Sequence, residues 1–194
     1  MKDVLVQELY KNFGEKQVLA DFSAVFPAGR VTCVMGPSGC GKTTLLNILL
    51  GLERADQGTI ENLPPRISAV FQEERLCEDF SAVTNVRLVT GKALHDEEIL
   101  ECLEAFGLAG STHVPVRELS GGMKRRVAIA RAVLAEGELL ILDEPFKGLD
   151  ETTRKTVAAE VKRRTQGRTV IMVTHDADEA LLMDAEVLEM RTLV

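Results

Sequence analysis

The segment GPSGCGKTT, residues 36–44, constrains this chain more than any other stretch of its sequence. It matches the pattern G-x-x-x-x-G-K-[ST] and lies between an apolar run that predicts a strand and an apolar run that predicts a helix. Glycines let the backbone wrap closely around phosphates with its N–H groups inward. Lys42 can reach the β- and γ-phosphates, and the Thr43 hydroxyl is placed to bind Mg²⁺. The sequence therefore predicts a nucleoside triphosphate site, formed by Gly36, Pro37, Ser38, Gly39, Cys40, Gly41, Lys42, Thr43 and Thr44.

Two neighbouring carboxylates, Asp143 and Glu144, end the apolar run of LLILDEP. Ligands of α/β sheets bind at the carboxyl ends of the strands, and a buried charge there is costly unless it meets a cation or water. Asp143 fits a Mg²⁺-binding carboxylate, which leaves Glu144 free to orient or deprotonate the water that attacks the γ-phosphate. The alternative is a pair of solvated carboxylates that open a turn before Pro145. The phosphate loop in the same chain favours the metal site.

A second predicted helix start lies in ELSGGMKRRVAIARA, residues 118–132. A serine before two glycines at a helix N-terminus presents a hydroxyl and free backbone N–H groups to an anion. The alternative is a serine-capped helix whose basic side chains, Lys124, Arg125 and Arg126, form a solvated face. The segment on its own leaves both interpretations open.

Apolar strands alternate with helices along the chain, which predicts a mostly parallel sheet covered on both faces. We expect a single domain over residues 1–194, with a core of about 1–72 and 118–194 and an inserted helical lobe of about 73–117. Within the lobe, apolar residues at helical spacing follow Asp96, which predicts a helix capped by that residue. Residues 53–65 predict a short strand or hairpin, and AEVLEMRTLV, residues 185–194, predicts the last strand.

Composition limits the partners of this chain. A net charge of −7 argues against the basic surface that nucleic-acid binding requires, so no nucleic-acid partner is expected. The most apolar run, TLLNILLGL, is about half the length needed to cross a bilayer. Any membrane-spanning helices would therefore belong to another chain. The four cysteines form no close pairs, so neither a disulfide framework nor a zinc site is predicted, and a reducing cytoplasm is expected.

Six motifs in order and spacing resemble those of the ATP-binding-cassette (ABC) ATPases. They are GPSGCGKTT as Walker A, VFQEE as the Q-loop, LSGGM as the signature, LLILDEP as Walker B, KGLD as the D-loop and VTHD as the histidine switch. The segments LSGGMKRRVAIARA, DEPFKGLD and VTHDADEALLM resemble the corresponding segments of the importer ATPases of the nitrate, sulfonate and taurine branch. The resemblance implies a P-loop NTPase fold of the α/β class, with an antiparallel β subdomain and an inserted helical subdomain.

Further site residues are implied by the resemblance alone. The Gln72 amide would contact Mg²⁺ or the attacking water, and His175 would contact the γ-phosphate and Glu144. Phe13 would stack on adenine, with Tyr10 as the alternative. Asp150 would pass between subunits, although it is also suited to cap the following helix.

The resemblance also implies an assembly that binds ATP with Mg²⁺. Two copies, expected to be identical, would pair head to tail, so that Ser120, Gly121 and Gly122 of one close over the γ-phosphate held by Lys42 of the other. Separate membrane permease subunits would dock near residues 73–86, where the apolar candidates are Leu76, Cys77, Phe80 and Val83; packing within the lobe is the alternative role of these four. A solute-binding protein would complete an importer at the cytoplasmic face of the membrane.

Two other functions compete with ATP-driven transport. One is a non-transport ABC ATPase acting on nucleic acid or ribosomes, but this chain carries neither a second cassette nor a basic extension. The other is a nucleotide-binding scaffold without turnover, which the presence of Lys42, Glu144 and His175 disfavours.

Overall fold

A computed structural model describes residues 2–191 of the chain. The strands are β1 (Val4–Phe13), β2 (Lys16–Phe26), β3 (Val31–Met35), β4 (Gln57–Glu61), β5 (Ile67–Val70), β6 (Leu139–Asp143), β7 (Thr169–Val173) and β8 (Glu186–Glu189). The helices are α1 (Lys42–Leu49), α2 (Ala82–Thr90), α3 (Asp96–Ala105), α4 (Gly121–Leu134), α5 (Glu151–Arg164) and α6 (Ala177–Leu182), with a 3₁₀ turn at Val116–Glu118 before α4.

Five strands form a parallel sheet in the order β5-β6-β7-β3-β8. Successive residues of a strand face opposite sides, and both sides are buried here. In β6, for example, Leu139 and Ile141 join one hydrophobic cluster while Leu140 and Leu142 join another. This confirms the predicted parallel sheet covered on both faces. Of the predicted last strand, residues 192–194 lie outside the described residues.

The first hydrophobic cluster holds α1 and a three-stranded antiparallel sheet of order β2-β1-β4 against the parallel sheet. The polar segment 53–65 contributes the single strand β4, which pairs with β1 rather than forming a hairpin of its own. The antiparallel sheet lies beside the phosphate loop that follows β3, since Val18 and Leu19 of β2 approach Gly41.

The second cluster joins α2, α3, α4 and α5 to the opposite face of the parallel sheet. The predicted Asp96 cap is wrong by one residue: His95 is the N-cap of α3, and the Glu98 carboxylate accepts a hydrogen bond of 2.8 Å from its backbone N–H. Asp96 instead lies in the first turn and pairs with Arg87. The division into core and lobe at residues 73 and 117 stays a prediction.

Among residues 2–191, no helix is long and apolar enough to cross a membrane. The four cysteines, all within this part of the chain, are free thiols.

Candidate active site

The phosphate loop connects β3 to α1 and depends on glycine at its end. Gly41 is the N-cap of α1 with φ of 101°, a left-handed conformation that side chains disfavour. A Cβ at this position would lie 2.8 Å from Leu19 Cδ2 and 2.9 Å from the Val18 carbonyl oxygen. The predicted glycine requirement therefore has two causes here, the backbone conformation and the close approach of β2.

Lys42 is held over its own loop. Its ammonium donates hydrogen bonds of 2.7 Å to the Gly36 carbonyl and 2.9 Å to the Pro37 carbonyl, and it lies 3.8 Å from the Cys40 thiol. This places a positive charge at the mouth of a backbone loop that begins a helix, the arrangement that favours a bound phosphate.

A cleft of about 500 Å³ opens above this loop, a volume ordinary for a small-molecule site. Its lining contains ten of the predicted site residues: Phe13, Ser38, Gly39, Gly41, Lys42, Thr43, Thr44, Gln72, Asp143 and Glu144. Three further residues, Lys16, Val18 and Val173, were missed from sequence because nothing in their local pattern marks them. The structure thus brings the ends of β1, β5 and β6 to the phosphate loop.

The two aromatic candidates differ in position. Phe13 ends β1, is 46% exposed, and lies in the cleft with the Lys11 ammonium 5.0 Å from its ring centroid. Tyr10 is partly buried within β1, in register with Gln57 of β4, and is outside the lining of the cleft. The geometry favours Phe13.

Asp143 is buried at the carboxyl end of β6, only 7% exposed. Burial, followed by the negative charge of Glu144, raises the pKa of this carboxyl. The alternative of two solvated carboxylates is therefore wrong for Asp143. In such a buried environment the ionised form of the carboxyl is strongly stabilised by a nearby cation.

Glu144 and His175 meet across the ends of β6 and β7, with His175 Nδ1 3.0 Å from Glu144 Oε1. The hydrogen bond to Glu144 and that residue's negative charge raise the pKa of His175. Glu144 has φ of 49°, an uncommon conformation for a residue other than glycine, and its N–H donates to the Val173 carbonyl at 2.9 Å. The resemblance implied a contact between His175 and Glu144, and the structure contains it.

Glu179, which sequence reasoning missed, supports the residue before His175. The Thr174 hydroxyl donates to the buried Glu179 carboxylate at 2.6 Å, and burial raises the pKa of Glu179. Glu179 follows the N-cap Asp176 by three residues, a spacing typical of a helix start, so its burial has no distinct signal in the sequence.

The second helix start lies outside the lining of the cleft. Ser120 caps α4, since its hydroxyl accepts a hydrogen bond of 3.3 Å from the Met123 N–H. A Cβ added to Gly122 would lie 3.5 Å from Leu149 Cδ2, so this segment adjoins the loop that ends at Asp150. Asp150 caps α5, because its carboxylate accepts a hydrogen bond of 2.9 Å from the Thr153 N–H. This confirms the predicted capping role of Asp150.

The alternative prediction that Lys124, Arg125 and Arg126 form a solvated basic face at the start of α4 is wrong. Lys124 pairs with Glu78 at 3.1 Å, and Arg126 donates to the carbonyls of Phe106 and Gly107. Arg125 is buried, and its guanidinium reaches the segments after β5 and β6. The missed signal is periodicity, because Ala128, Ile129 and Ala132, all buried, follow Arg125 at helical spacing.

The four apolar candidates in residues 73–86 divide between two environments. Leu76 and Val83 are partly buried and pack against the second cluster, as the lobe-packing alternative predicted. Cys77 is exposed and Phe80 is 45% exposed. These two are the members of the set that a partner could contact.

Comparison with known proteins identifies relatives over most of the chain. The ABC transporter family matches residues 19–147. The aliphatic sulfonates import ATP-binding protein SsuB 2 of Burkholderia lata is 39% identical over 92% of this chain and 69% of its own length. The Fe(3+) ions import ATP-binding protein FbpC of Agrobacterium fabrum is 38% identical over 97% of this chain and 58% of its own length.

Solved structures show the same architecture. A dimeric structure of MJ0796, a bacterial ABC transporter cassette, superposes with a TM-score of 0.85 at 27% identity, covering 97% of this chain and 94% of the other. A dimeric post-hydrolysis state of MJ0796 bound to ADP and Pi has a TM-score of 0.83 at 26% identity, covering 98% and 97%.

These comparisons confirm the predicted fold class and the predicted role as an ATP-binding, ATP-hydrolysing transporter subunit, including its likeness to the sulfonate importer branch. They disfavour the scaffold without turnover and the ATPase that acts on nucleic acid or ribosomes. From the phosphate loop, the carboxylates at the end of β6 and the histidine beside them, together with these matches, it follows that the chain belongs to the ABC transporter family.

Proposed function

We propose that the cleft binds ATP with Mg²⁺ and hydrolyses it in a head-to-tail pair, driving solute import through separate membrane subunits. The observation that carries this proposal is the convergence of Lys42, Gln72, Asp143 and Glu144 on one cleft, with His175 in contact with Glu144. The division of labour among these residues follows from their positions.

Lys42 and the loop amides bind the β- and γ-phosphates. The lysine is already aimed at the loop by two carbonyl hydrogen bonds, so binding exchanges carbonyl partners for phosphate oxygens with little rearrangement. Phe13, exposed at the other side of the cleft, stacks on the adenine ring.

Mg²⁺ fits the donors available at the cleft. Thr43, Gln72 and Asp143 offer a hydroxyl, an amide and a carboxylate, the oxygen ligands that this cation prefers beside substrate phosphates. The buried Asp143 carboxylate, with its raised pKa, would be relieved by such a charge. When bound, the cation neutralises charge developing on the transferred phosphoryl group.

Glu144 acts as the base or orienting group for the attacking water, and His175 fixes its carboxylate. A hydrogen bond of 3.0 Å from the imidazole restricts the carboxylate to one orientation. Because the His175 side chain is 72% exposed, it is also free to contact the γ-phosphate.

Asp143→Asn tests the metal site. Turnover is expected to fall by about a hundredfold or more, and the dependence of ATP affinity on Mg²⁺ to be lost. Burial raises the pKa of Asp143 in the folded protein above its pKa in the unfolded chain. The free energy of unfolding therefore falls as pH rises from the unfolded-state pKa of Asp143 through its folded-state pKa. The asparagine variant should therefore unfold at pH 7 at the same or a higher temperature.

Phosphate release, nucleotide binding titrated with Mg²⁺ and thermal unfolding check these three results. Asp184→Asn, at an exposed aspartate paired with Lys162, serves as the control and should leave all three quantities unchanged. Wild-type Mg²⁺ dependence in Asp143→Asn would overturn the assignment.

Pairing is supported by glycines that have no explanation within one chain. A Cβ on Gly121 would meet nothing within 4 Å, and this residue lies in the first turn of α4. Glycine costs about 1 kcal/mol relative to alanine in a helix interior and less at a helix start. In the described part of the chain no contact requires glycine at Gly121. Glycine at this helix start is explained if the nucleotide bound by a second molecule approaches Ser120, Gly121 and Gly122 closely.

Transport requires a membrane partner. The relatives named above are import proteins for aliphatic sulfonates and for Fe(3+) ions, so they agree on import and differ in solute. We place the chain at the cytoplasmic face of the membrane, bound to permease subunits through residues 73–86, in a complex that includes a solute-binding protein.

Phe80→Asp tests this docking surface. Because Phe80 is 45% exposed, the charge should disrupt the apolar contact with a membrane subunit while ATP binding stays at the wild-type level. Recovery of membrane subunits with the tagged chain from detergent-solubilised native membranes is the measurement. Leu181→Asp, at an exposed leucine of α6, is the matched control. Equal recovery with both variants would contradict the surface, as would loss of ATP binding in Phe80→Asp.

A further inference from the structure

Arg125 is an arginine buried in the second turn of α4, with 3% of its surface exposed. Charged side chains are almost never buried to this degree unless they are paired. Yet in the described part of the chain, no carboxylate lies within ion-pair distance of this guanidinium, although several arginines elsewhere in that part have such partners. Burial lowers the pKa of Arg125.

Among residues 2–191, all the hydrogen-bond partners of Arg125 are backbone carbonyls. A guanidinium has five N–H donors in a rigid fork, and here they have five acceptors. The bonds run from Nε to Pro145 (2.9 Å), from Nη1 to Phe71 (2.5 Å) and Gln72 (3.3 Å), and from Nη2 to Asp143 (2.7 Å) and Glu144 (2.5 Å).

These five carbonyls belong to two segments that leave the sheet side by side. Phe71 and Gln72 follow β5, while Asp143, Glu144 and Pro145 end β6 or follow it, and the two strands are parallel neighbours. The pairing of β5 with β6 ends at Val70 and Leu142, so in the described part of the chain no ladder hydrogen bond between these two strands keeps the segments beyond it in register. The guanidinium spans this gap and ties both segments to α4, the helix that begins at the signature serine.

We propose that Arg125 is a positioning residue for hydrolysis, whose guanidinium fixes Gln72 and Glu144 relative to each other by binding the backbone of both. This rests on the proposed roles of Glu144 as the group that acts on the attacking water and of Gln72 as a donor to Mg²⁺ in the same cleft. Side-chain placement follows backbone placement, and displacement by about 1 Å at such a site costs up to a hundredfold in rate. Nucleotide binding rests chiefly on the phosphate loop and Lys42, to which Arg125 makes no hydrogen bond in the described part of the chain, and at Asp143 Arg125 binds only the backbone. Loss of Arg125 should therefore act on turnover and change ATP affinity little.

Arg168 provides a matched control. It bridges the same three elements at the opposite end of the sheet, donating to Ser68 Oγ of β5 (2.5 Å) and to the carbonyls of Leu139 in β6 (3.4 Å) and Val133 in α4 (3.3 Å). Burial lowers its pKa as well, to about 10. Arg168 is partly buried. Because both guanidiniums tie α4 to β5 and β6, a structural effect of losing the arginine is expected at both positions, whereas a positioning effect belongs to Arg125 alone.

The experiment compares steady-state hydrolysis and nucleotide affinity of Arg125→Gln, Arg125→Lys and Arg168→Gln at a temperature at which all are folded. We expect kcat to fall at least about tenfold in both Arg125 variants, with KM and ATP affinity within about twofold of wild type. Lysine should rescue only part of the loss, because its single ammonium cannot span five carbonyls. Arg168→Gln should keep kcat, whatever its unfolding temperature. If Arg125→Gln fails to fold, Arg125→Lys carries the test.

A double-mutant cycle with Gln72→Ala adds a readout that a structural role would not change. If Arg125 acts through Gln72, Arg125→Lys should cost less in the Gln72→Ala background than in wild type. Wild-type kcat in Arg125→Lys, equal losses at Arg125 and Arg168, or strictly additive losses in the cycle would each overturn the inference. Wild-type turnover in Gln72→Ala and Glu144→Gln would instead overturn the proposed hydrolytic roles, so the two failures are distinguishable.

Discussion

A Glu144→Gln variant is expected to lose ATP hydrolysis by about a hundredfold to ten-thousandfold, the contribution typical of a positioned general base. It should still bind ATP, because the phosphate loop and Lys42 are unchanged. Since ATP is then held without being consumed, the variant should accumulate as an ATP-bound pair of chains. Size-exclusion chromatography with and without ATP measures the pairing, and phosphate release measures turnover. A variant that stays monomeric with ATP would contradict hydrolysis in pairs.

The same variant reports on the contact between Glu144 and His175. The hydrogen bond and the charge of Glu144 raise the pKa of His175, because both favour the protonated imidazole. Removing that charge should move the His175 pKa down towards its ordinary value. The chain has only three histidines, so an NMR titration resolves them. The other two, His95 and His113, serve as internal controls, and an unchanged His175 pKa would contradict the observed pairing.

The parts of the site that sequence predicted are those whose chemistry is contiguous along the chain. The phosphate loop binds through consecutive backbone amides, so GPSGCGKTT specifies it without reference to any distant residue. Asp143 and Glu144 were identified because the end of an apolar parallel strand is where such sheets bind ligands. Both inferences rest on a motif or an apolar run that is contained in a short stretch of the sequence.

The environments of Arg125 and Phe80 could not be predicted from the local sequence pattern. Three consecutive basic residues predict a solvated helix face, yet Arg125 turns inward, where backbone carbonyls at the ends of β5 and β6 accept its hydrogen bonds. Among the apolar residues of 73–86, the pattern did not separate Phe80, which is exposed, from Leu76, which packs inside. In each case the environment is set by segments distant along the chain, which a single sequence does not place.

Mixing two inactive variants is expected to restore hydrolysis, and this result would test the head-to-tail pair most directly. Lys42→Ala removes the phosphate ligand from a chain but leaves its signature helix intact. Gly121→Leu leaves the phosphate loop intact and fills the space that a partner's nucleotide would approach. Because a Cβ at Gly121 meets nothing within 4 Å, this variant should fold at least as well as wild type. Each variant alone should lose hydrolysis about a hundredfold or more, since both of its composite sites lack one half.

In a mixed pair, one site combines the intact Lys42 of one chain with the intact Gly121 of the other, while the second site carries both defects. Random mixing makes half of the pairs mixed, so we expect roughly a quarter of wild-type turnover per pair. Lys42→Ala mixed with Glu144→Gln is the control, because both defects then lie in the same half of the composite site and no mixed pair contains an intact one. Recovery in the first mixture but not in the second requires that each site be completed by the other molecule. If hydrolysis instead stays absent in both mixtures, while light scattering shows that mixed pairs form, then Gly121 acts within its own chain and the head-to-tail arrangement is wrong.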